Sequence, residues 1–195
     1  MGIIPIFLTA VLTCGVSCMP LTPSEKRIRA CLERLRTQLC GGDDSEILCW
    51  LIPGVLASSQ RPLRDHPVYA PCWTGKRPRP LPPEARTLVV GWVQRILDSG
   101  VQSVICLLER AQLDRYYVRG GLGLPAGGLL EYYQLRGLEV RHIPMTDYQR
   151  PSQTEMKQVL EAFDRLPRAV LLHCSAGIDR TTPVAAFLLD QRGPN

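Results

Sequence analysis

The stretch His173-Cys174-Ser175-Ala176-Gly177-Ile178-Asp179-Arg180-Thr181 decides how the rest of this chain is interpreted. It places a thiol six residues before a guanidinium, with a glycine between them. That spacing alone has little specificity, since a chain of this composition contains roughly one such match by chance. A histidine directly before the cysteine and the glycine in the loop make the full combination rare, roughly one in a thousand.

The residues on either side of this stretch predict a strand and a helix. Residues 168–172 form a short apolar run that suits a buried strand, and residues 182–192 suit a helix that tolerates Pro183 in its first turn. The cysteine therefore lies on a strand-loop-helix junction. Successive N–H groups of residues 175–180 at a helix N-terminus favour the binding of an anion.

The same surroundings favour a reactive cysteine. A helix N-terminus and a nearby cation can lower a thiol pKa from ~8.5 to roughly 3.5–7.5, which makes Cys174 a nucleophile at neutral pH. Arg180 offers a planar fork for two phosphoryl oxygens. Thr181 is expected to donate a hydrogen bond to the sulfur, and His173 is expected to orient the loop rather than act as a base. The pattern therefore predicts a phosphate-binding catalytic loop.

The pattern His173-Cys174-x5-Arg180-Thr181 resembles the signature of the cysteine-based protein tyrosine phosphatase superfamily, and its dual-specificity branch is the most similar. The resemblance extends over about residues 47–192. It implies an α/β fold with a central mixed, mainly parallel sheet flanked by helices, a phosphocysteine intermediate, and no metal or other cofactor. The residues that it assigns to phosphate binding are Ser175, Ala176, Gly177, Ile178, Asp179 and Arg180.

The mechanism of this superfamily also requires a carboxylic acid from a separate loop. Asp147 is the candidate, because it follows a strand-like segment at residues 138–144 and precedes the capping box Ser152-x-x-Glu155, which predicts the start of a helix. The run at residues 147–152 resembles the general-acid loop of dual-specificity phosphatases. The alternative is that Asp147 is a solvated turn residue.

Asp179 leaves the substrate class open. Many members of the superfamily carry glycine or a neutral residue there, and a carboxylate opposes phosphate binding unless it turns outward or pairs with a cation. Asp-Arg-Thr also occurs among phosphoinositide phosphatases, whereas Ile178 stands where lipid-directed relatives often carry lysine. Phosphorylated tyrosine and serine or threonine proteins are the expected substrates. A phosphoinositide or another small phosphate ester is one alternative, and a catalytically weak phospho-binding protein tethered to a membrane is another.

Composition suits one α/β domain with an N-terminal extension, since the chain has 195 residues of which 45% are hydrophobic and 21% charged. The expected division is an apolar segment at residues 1–22, a helix and linker at 23–46, and the catalytic domain at 47–195. The chain ends soon after Arg180, so we expect the C-terminal helices of the superfamily to be truncated. Apolar side chains of the last helix are then expected to be exposed. These side chains are Val184, Phe187, Leu188 and Leu189.

The first 22 residues carry no charged side chain, and residues 3–19 are mostly apolar. Two interpretations are left open, a weak signal-anchor and a buried or mis-started N-terminus. Because Lys26, Arg27 and Arg29 follow this segment, an anchor would leave the catalytic domain facing the cytosol. We expect a cytoplasmic protein, either free or anchored through residues 3–19.

Residues 24–40 predict an amphipathic helix that Ser24 caps and that Gly41-Gly42 ends. We expect its charged face to be solvated surface. The proline-rich and basic residues 61–83 are interpreted as a solvated insert or as a surface that meets a phosphorylated substrate. The predicted apolar face of the helix consists of Ile28, Cys31, Leu32, Leu35 and Leu39.

Further elements are predicted as strands at residues 48–51, 55–57 and 101–108 and as helices at 84–97 and 129–136. The eight cysteines show no metal-ligand spacing, and with a mechanism that needs a free thiolate they favour a reducing compartment. A net charge of +5 without an aromatic and basic stripe does not indicate nucleic acid as a partner, but it suits anionic substrates. No oligomeric state is predicted.

Overall fold

The computed structural model describes residues 20–69 and 79–193. Within these residues five strands form one sheet, and six α-helices and one short 3-10 helix surround it. The strands are β1 (Cys49–Ile52), β2 (Leu56–Ser59), β3 (Ser103–Cys106), β4 (Glu139–His142) and β5 (Val170–His173). The helices are α1 (Pro23–Cys40), α2 (Arg86–Asp98), α3 (Arg110–Tyr117), α4 (Leu129–Leu135), α5 (Gln153–Arg165) and α6 (Thr181–Arg192), and the 3-10 helix Pro83–Ala85 precedes α2.

The sheet has the strand order β1-β2-β5-β3-β4. The pairs β2–β5, β5–β3 and β3–β4 are parallel, and only β1 runs antiparallel to its neighbour. This confirms the predicted mixed, mainly parallel sheet flanked by helices. Because parallel strands end at the same edge of a sheet, the chain leaves β5 at the edge where β2, β3 and β4 also end. Cys174 is the first residue after β5, and it therefore lies at that edge.

Local sequence signals account for most of these elements. The predicted turn at Pro53-Gly54 joins β1 to β2, and Gly54 takes the positive φ of +68° that suits glycine. The capping box opens α5, since Ser152 accepts a hydrogen bond from the N–H of Glu155 and the Glu155 carboxylate accepts one from the N–H of Ser152. The predicted helices at residues 84–97 and 129–136 correspond to α2 with its 3-10 turn and to α4.

Two local details differ from the sequence prediction. The N-cap of α1 is Thr22 and not Ser24, because Thr22 Oγ1 accepts a hydrogen bond from the N–H of Glu25 at 3.2 Å and Pro23 occupies the first turn. Helix α3 was not predicted. Its sequence signal is a capping box. Glu109 stands immediately before the helix, and Gln112 lies in its first turn.

Helix α1 packs against α6 and covers its apolar face. Ile28 and Leu32 of α1 share one buried cluster with Val184 and Leu188 of α6, and each of these four side chains is at most 2% exposed. Phe187 and Leu189 are partly buried against the same cluster, to which α5 also contributes. The expectation that α6 exposes this face is therefore wrong, because α1 packs on it.

The structure joins Cys31 of α1 to Cys49 of β1 by a disulfide, with 6.2 Å between the Cα atoms. The sequence analysis did not predict this pair, and Cys106 and Cys174 are free thiols. The disulfide adds a covalent link between α1 and the sheet. The predicted boundary at residue 47 stays a prediction, although α1 shares its core with the sheet.

The predicted N-terminal anchor at residues 3–19 lies outside the described residues. Among residues 20–69 and 79–193, no helix is long and apolar enough to cross a membrane.

Replacing a buried leucine of α1 should destabilise the fold. Leu32→Ala is expected to lower the free energy of unfolding by about 2–5 kcal/mol, because it leaves a cavity in the cluster between α1 and α6. Leu135→Ala is the matched control, since Leu135 is 59% exposed on α4 and should change the value by about 0.5 kcal/mol or less. Urea unfolding curves of both variants measure the difference. Equal losses would mean that α1 does not pack on α6 in solution.

Candidate active site

The loop after β5 is folded tightly beneath α1. Cys174 and Arg180, at its two ends, are each 1% exposed. Between them Gly177 has a φ of +78°, and a Cβ atom there would lie 3.2 Å from the Ser59 carbonyl oxygen and 3.3 Å from both Leu32 methyl carbons. Glycine is needed at this position for its backbone conformation and for space. The glycine that marked the sequence pattern is thus explained by the fold.

Hydrogen bonds from outside hold the loop in place. The N–H of Arg61 donates to the Ser175 carbonyl at 3.0 Å, and Thr182 Oγ1 donates to the Gly177 carbonyl at 3.1 Å. The hydroxyl of Thr181 is buried and has no hydrogen-bond partner among the described residues. The expected hydrogen bond from Thr181 to the sulfur of Cys174 is therefore not formed, and the neighbouring Thr182 supports the loop instead.

Arg180 is enclosed by acceptors from three other segments. Its Nη1 lies 2.8 Å from Gln112 Oε1 and 3.3 Å and 3.2 Å from the carbonyl oxygens of Leu107 and Met145. Its Nη2 lies 2.7 Å from Asp147 Oδ1. The Nε atom is buried without a partner among the described residues. A buried donor without an acceptor costs about 1–3 kcal/mol, and the oxygen of a bound phosphate would remove that cost.

Asp147 lies in the turn after β4, with its side chain 27% exposed. Its Oδ1 pairs with Arg180, and its Oδ2 accepts a hydrogen bond from Gln112 Nε2 at 2.7 Å. Gln112 thus uses its two ends to hold Arg180 and Asp147 at the same time. Sequence reasoning missed Gln112, because its capping pattern indicates a helix start and carries no information about the distant partners of its side chain.

These residues line one cavity of about 300 Å³ at the edge of the sheet. The predicted site residues that line it are Cys174, Ser175, Ala176, Ile178, Asp179, Arg180 and Asp147, and the further lining residues are Arg29, Arg36, Arg61, Arg64, Tyr116 and Tyr148. Gly177, His173 and Thr181 are not part of its wall. Asp179 is exposed. The thiol, the guanidinium and the carboxyl group predicted from separate parts of the sequence therefore meet in one place.

His173 supports the loop from behind. It is completely buried, with Nδ1 3.2 Å from the Cys174 carbonyl oxygen and Nε2 3.4 Å from the Tyr133 hydroxyl. Burial lowers the pKa of His173 to about 4, so the ring is neutral at pH 7. A neutral ring that donates from Nδ1 to the carbonyl accepts from Tyr133 at Nε2. This arrangement suits the orienting role expected for His173.

Cys106 lies beside His173 on the adjacent strand, in register with it. Burial raises the pKa of the Cys106 thiol to about 12, so this sulfur stays protonated at neutral pH. Cys106 therefore adds no negative charge near Cys174.

Helix α1 reaches the site with charged side chains. Glu25, which is 1% exposed, accepts a hydrogen bond from Arg150 Nη2 at 2.6 Å, and this contact ties α1 to the loop that carries Asp147. Arg36, which is 4% exposed, donates to the buried Asp65 at 2.9 Å. The expectation that the charged face of this helix is solvated surface is therefore wrong for Glu25 and Arg36.

A comparison with protein-family models decides the family. The model described as "Polymorphic toxin system, DSP-PTPase phosphatase", Tc-R-P, matches residues 89–193, which include the Asp147 turn and the Cys174 loop. The chain belongs to this family. The predicted membership of the cysteine-dependent phosphatases, in their dual-specificity branch, is thereby confirmed.

Curated relatives match a smaller part of the chain. Cyclin-dependent kinase inhibitor 3 of Rattus norvegicus is 31% identical over 99 residues, which cover 49% of this chain and 43% of the relative. The human protein of the same name is 27% identical over 99 residues with the same coverage. The chain thus spans less than half the length of these relatives.

Solved structures of phosphatases are similar over most of the chain. Tk-PTP in its active form has a TM-score of 0.44 and 22% identity, covering 73% of this chain and 72% of that one. A putative phosphatase from Shewanella putrefaciens CN-32 has a TM-score of 0.46 and 21% identity, covering 77% and 73%. Kinase associated phosphatase with its catalytic cysteine replaced by serine has a TM-score of 0.44 and 19% identity, covering 71% and 75%.

Burial of His173 should make the fold less stable in acid. Its folded pKa of about 4 lies below the ordinary value of 6.5, so the unfolded chain binds a proton more readily between these values. The stabilising contribution is complete above pH 6.5 and is lost as the pH falls towards 4. Over this pH range we expect the free energy of unfolding to fall by about 3 kcal/mol.

Unfolding free energies at pH 7 and pH 4.5 should therefore differ more in the natural chain than in His173→Asn. His66→Asn is the control, because His66 is only partly buried and should contribute less to the difference. An equal pH dependence in the natural chain and His173→Asn would contradict a neutral, buried His173.

Proposed function

We propose that this chain hydrolyses phosphate monoesters through a phosphocysteine intermediate on Cys174. The observation that carries the proposal is the convergence of Cys174, Arg180 and Asp147 on one cavity, with the Arg180 guanidinium 2.7 Å from the Asp147 carboxylate. The family match over residues 89–193 supports it. The activity proposed for this chain and the roles proposed for its site residues rest on that arrangement.

In the first step the substrate phosphate binds the N–H groups of the loop and the Arg180 guanidinium. The Cys174 thiolate attacks phosphorus and forms the sulfur–phosphorus bond, while the bond from phosphorus to the ester oxygen breaks. Asp147, in its protonated form, gives its proton to that oxygen, which leaves as a neutral alcohol or phenol. Arg180 and the loop amides stabilise the charge on the phosphoryl oxygens in the transition state.

In the second step water releases the phosphate. The Asp147 carboxylate accepts a proton from a water molecule, whose oxygen attacks phosphorus as the bond to sulfur breaks. The products are inorganic phosphate and the Cys174 thiolate, while Asp147 is again protonated. The cycle therefore returns both groups to their starting states.

Phosphate binding would also prepare Asp147 for this role. Without substrate, the buried Arg180 is paired with the Asp147 carboxylate. A phosphoryl group that pairs with Arg180 competes with Asp147 for the guanidinium and weakens that ion pair, which frees the carboxyl group to face the leaving oxygen. Gln112 keeps its hydrogen bond to Asp147 during this exchange and so holds the carboxyl group at the cavity wall.

Phosphorylated tyrosine, serine and threonine side chains of proteins are the substrates that the sequence resemblance implies. A small phosphate ester is the second candidate, and a specific observation favours it: among the described residues, five arginines and two aspartates line a cavity of about 300 Å³. The third alternative, a catalytically weak phospho-binding protein, rested on the expected truncation of the C-terminal helices, which predicted an exposed face on α6. That face is covered by α1.

Replacing the nucleophile should abolish turnover and spare binding. With the full chain, EDTA and a reductant, we expect 4-nitrophenyl phosphate to be hydrolysed and Cys174→Ser to lower kcat by on the order of 10³-fold or more. Calorimetry should still detect phosphate binding by this variant, because Arg180 and the loop amides remain. Cys106→Ala is the control for loss of a buried thiol and should retain turnover. A folded natural chain without activity would support the phospho-binding alternative.

Replacing the acid should have an effect that depends on the leaving group. Asp147→Ala is expected to lower kcat for phenyl phosphate by about 10²–10⁴-fold, because its phenoxide is a poor leaving group that needs the proton. The loss for 4-nitrophenyl phosphate, with its better leaving group, should be much smaller. Steady-state rates on a series of aryl phosphates measure the difference. Equal slowing of both would mean that Asp147 acts only by positioning Arg180.

A further inference from the structure

The loop between β4 and α5 is held in place by few contacts. We call residues 146–151 the acid loop, because they include Asp147. The acid loop shares no backbone–backbone hydrogen bond with another segment among the described residues. Tyr148, next to Asp147, is 87% exposed, so it does not anchor the loop by burial. The position of the loop therefore depends on the side chains that link it to the rest of the fold.

Asp147 supplies two of these links, and the proposed reaction disturbs both. Its Oδ1 lies 2.7 Å from Arg180 Nη2, and its Oδ2 accepts a hydrogen bond from Gln112 Nε2 at 2.7 Å. A bound phosphate competes for Arg180, and the carboxyl group itself gives up and regains a proton in each cycle. The acid loop thus needs a third anchor that neither the substrate nor the proton transfer changes.

Arg150 and Glu25 of α1 form such an anchor. Arg150 Nη2 donates a hydrogen bond to Glu25 Oε1 at 2.6 Å. Glu25 is 1% exposed, and its other oxygen, Oε2, accepts a hydrogen bond from the N–H of Thr22 at 2.8 Å. Both oxygens of the carboxylate are therefore fixed by α1 before the loop reaches them. A buried carboxylate is costly without a cation, and Arg150 provides that cation from the acid loop.

The ion pair acts at a distance from the substrate. Among the described residues that line the cavity, neither Glu25 nor Arg150 is present. Arg150 stands three residues after Asp147, so the pair influences the chemistry through the acid. We propose that Glu25 and Arg150 are positioning residues, whose ion pair keeps the acid loop where Asp147 reaches the leaving oxygen. This rests on the hydrolysis proposed above.

Arg150→Ala is the first variant to test, because its side chain is 47% exposed and its loss leaves the N-cap of α1 in place. We expect kcat for phenyl phosphate to fall about tenfold, the effect of one charge-assisted hydrogen bond. The kcat for 4-nitrophenyl phosphate should fall by about twofold or less, because its leaving group needs the proton less. KM should change little for either. A smaller folded fraction would instead slow both substrates equally.

Two further variants show whether the effect passes through the acid. In an Asp147→Ala background, Arg150→Ala should cause no further loss on phenyl phosphate, because the group that it positions is already absent. Glu25→Gln keeps an acceptor for the N–H of Thr22 but removes the charge that holds Arg150. It should reproduce the leaving-group dependence of Arg150→Ala, whereas Arg150→Lys keeps a cation and should retain most of the turnover.

Arg192→Ala is the matched control. Arg192 is 45% exposed and pairs with Asp164 at 2.8 Å, so the variant removes a similar ion pair between α5 and α6. Neither residue lines the cavity among the described residues. The kcat values for both aryl phosphates should therefore be those of the natural chain.

The outcomes separate this inference from the proposed hydrolysis. If Asp147→Ala changes the leaving-group dependence and Arg150→Ala does not, the ion pair does not position the acid, although the hydrolysis stands. A further loss from Arg150→Ala in the Asp147→Ala background would also overturn the inference, since Arg150 would then act on the substrate. A natural chain that hydrolyses neither aryl phosphate would contradict the proposed function, and the inference with it.

Discussion

The buried guanidinium of Arg180 is the constraint on which the site depends. A charge that is 1% exposed must be surrounded by acceptors, and these come from the segment after β3, the turn after β4 and the first turn of α3. Satisfying one cation therefore fixes three segments relative to the phosphate-binding loop. The thiol at the start of the loop and the carboxyl group of Asp147 come together because both belong to this arrangement.

The sequence predicted those parts of the fold that short-range patterns determine. The strand before Cys174, the helix after it and the capping box at Ser152 are local signals, and the structure contains each of them. Helix α3 was missed because only eight residues carry its pattern. The predicted hydrogen bond from Thr181 is not formed. Whether Thr181 or Thr182 contacts the loop depends on how the first turn of α6 is rotated against it, and the local sequence does not determine that rotation.

Contacts between distant segments could not be predicted in the same way. The helix before the sheet was interpreted as a separate amphipathic element, yet Leu32 packs against Gly177 and Glu25 holds Arg150. Nothing in the spacing of α1 shows that its apolar face meets α6. The sequence predicted an exposed apolar surface on α6, and the structure covers that surface with α1. Residues outside the matched family region thus complete the site.

The charges of the site are arranged so that few of them change near neutral pH. Burial keeps His173 neutral by lowering its pKa to about 4, and it keeps Cys106 protonated by raising its pKa to about 12. The positive charge comes from arginines, which stay protonated throughout this range. The proposed substrate, a phosphate monoester that changes from one to two negative charges near pH ~6, would therefore meet arginines whose charge does not change. Burial thus removes two groups beside the loop, His173 and Cys106, from those that could change charge near neutral pH.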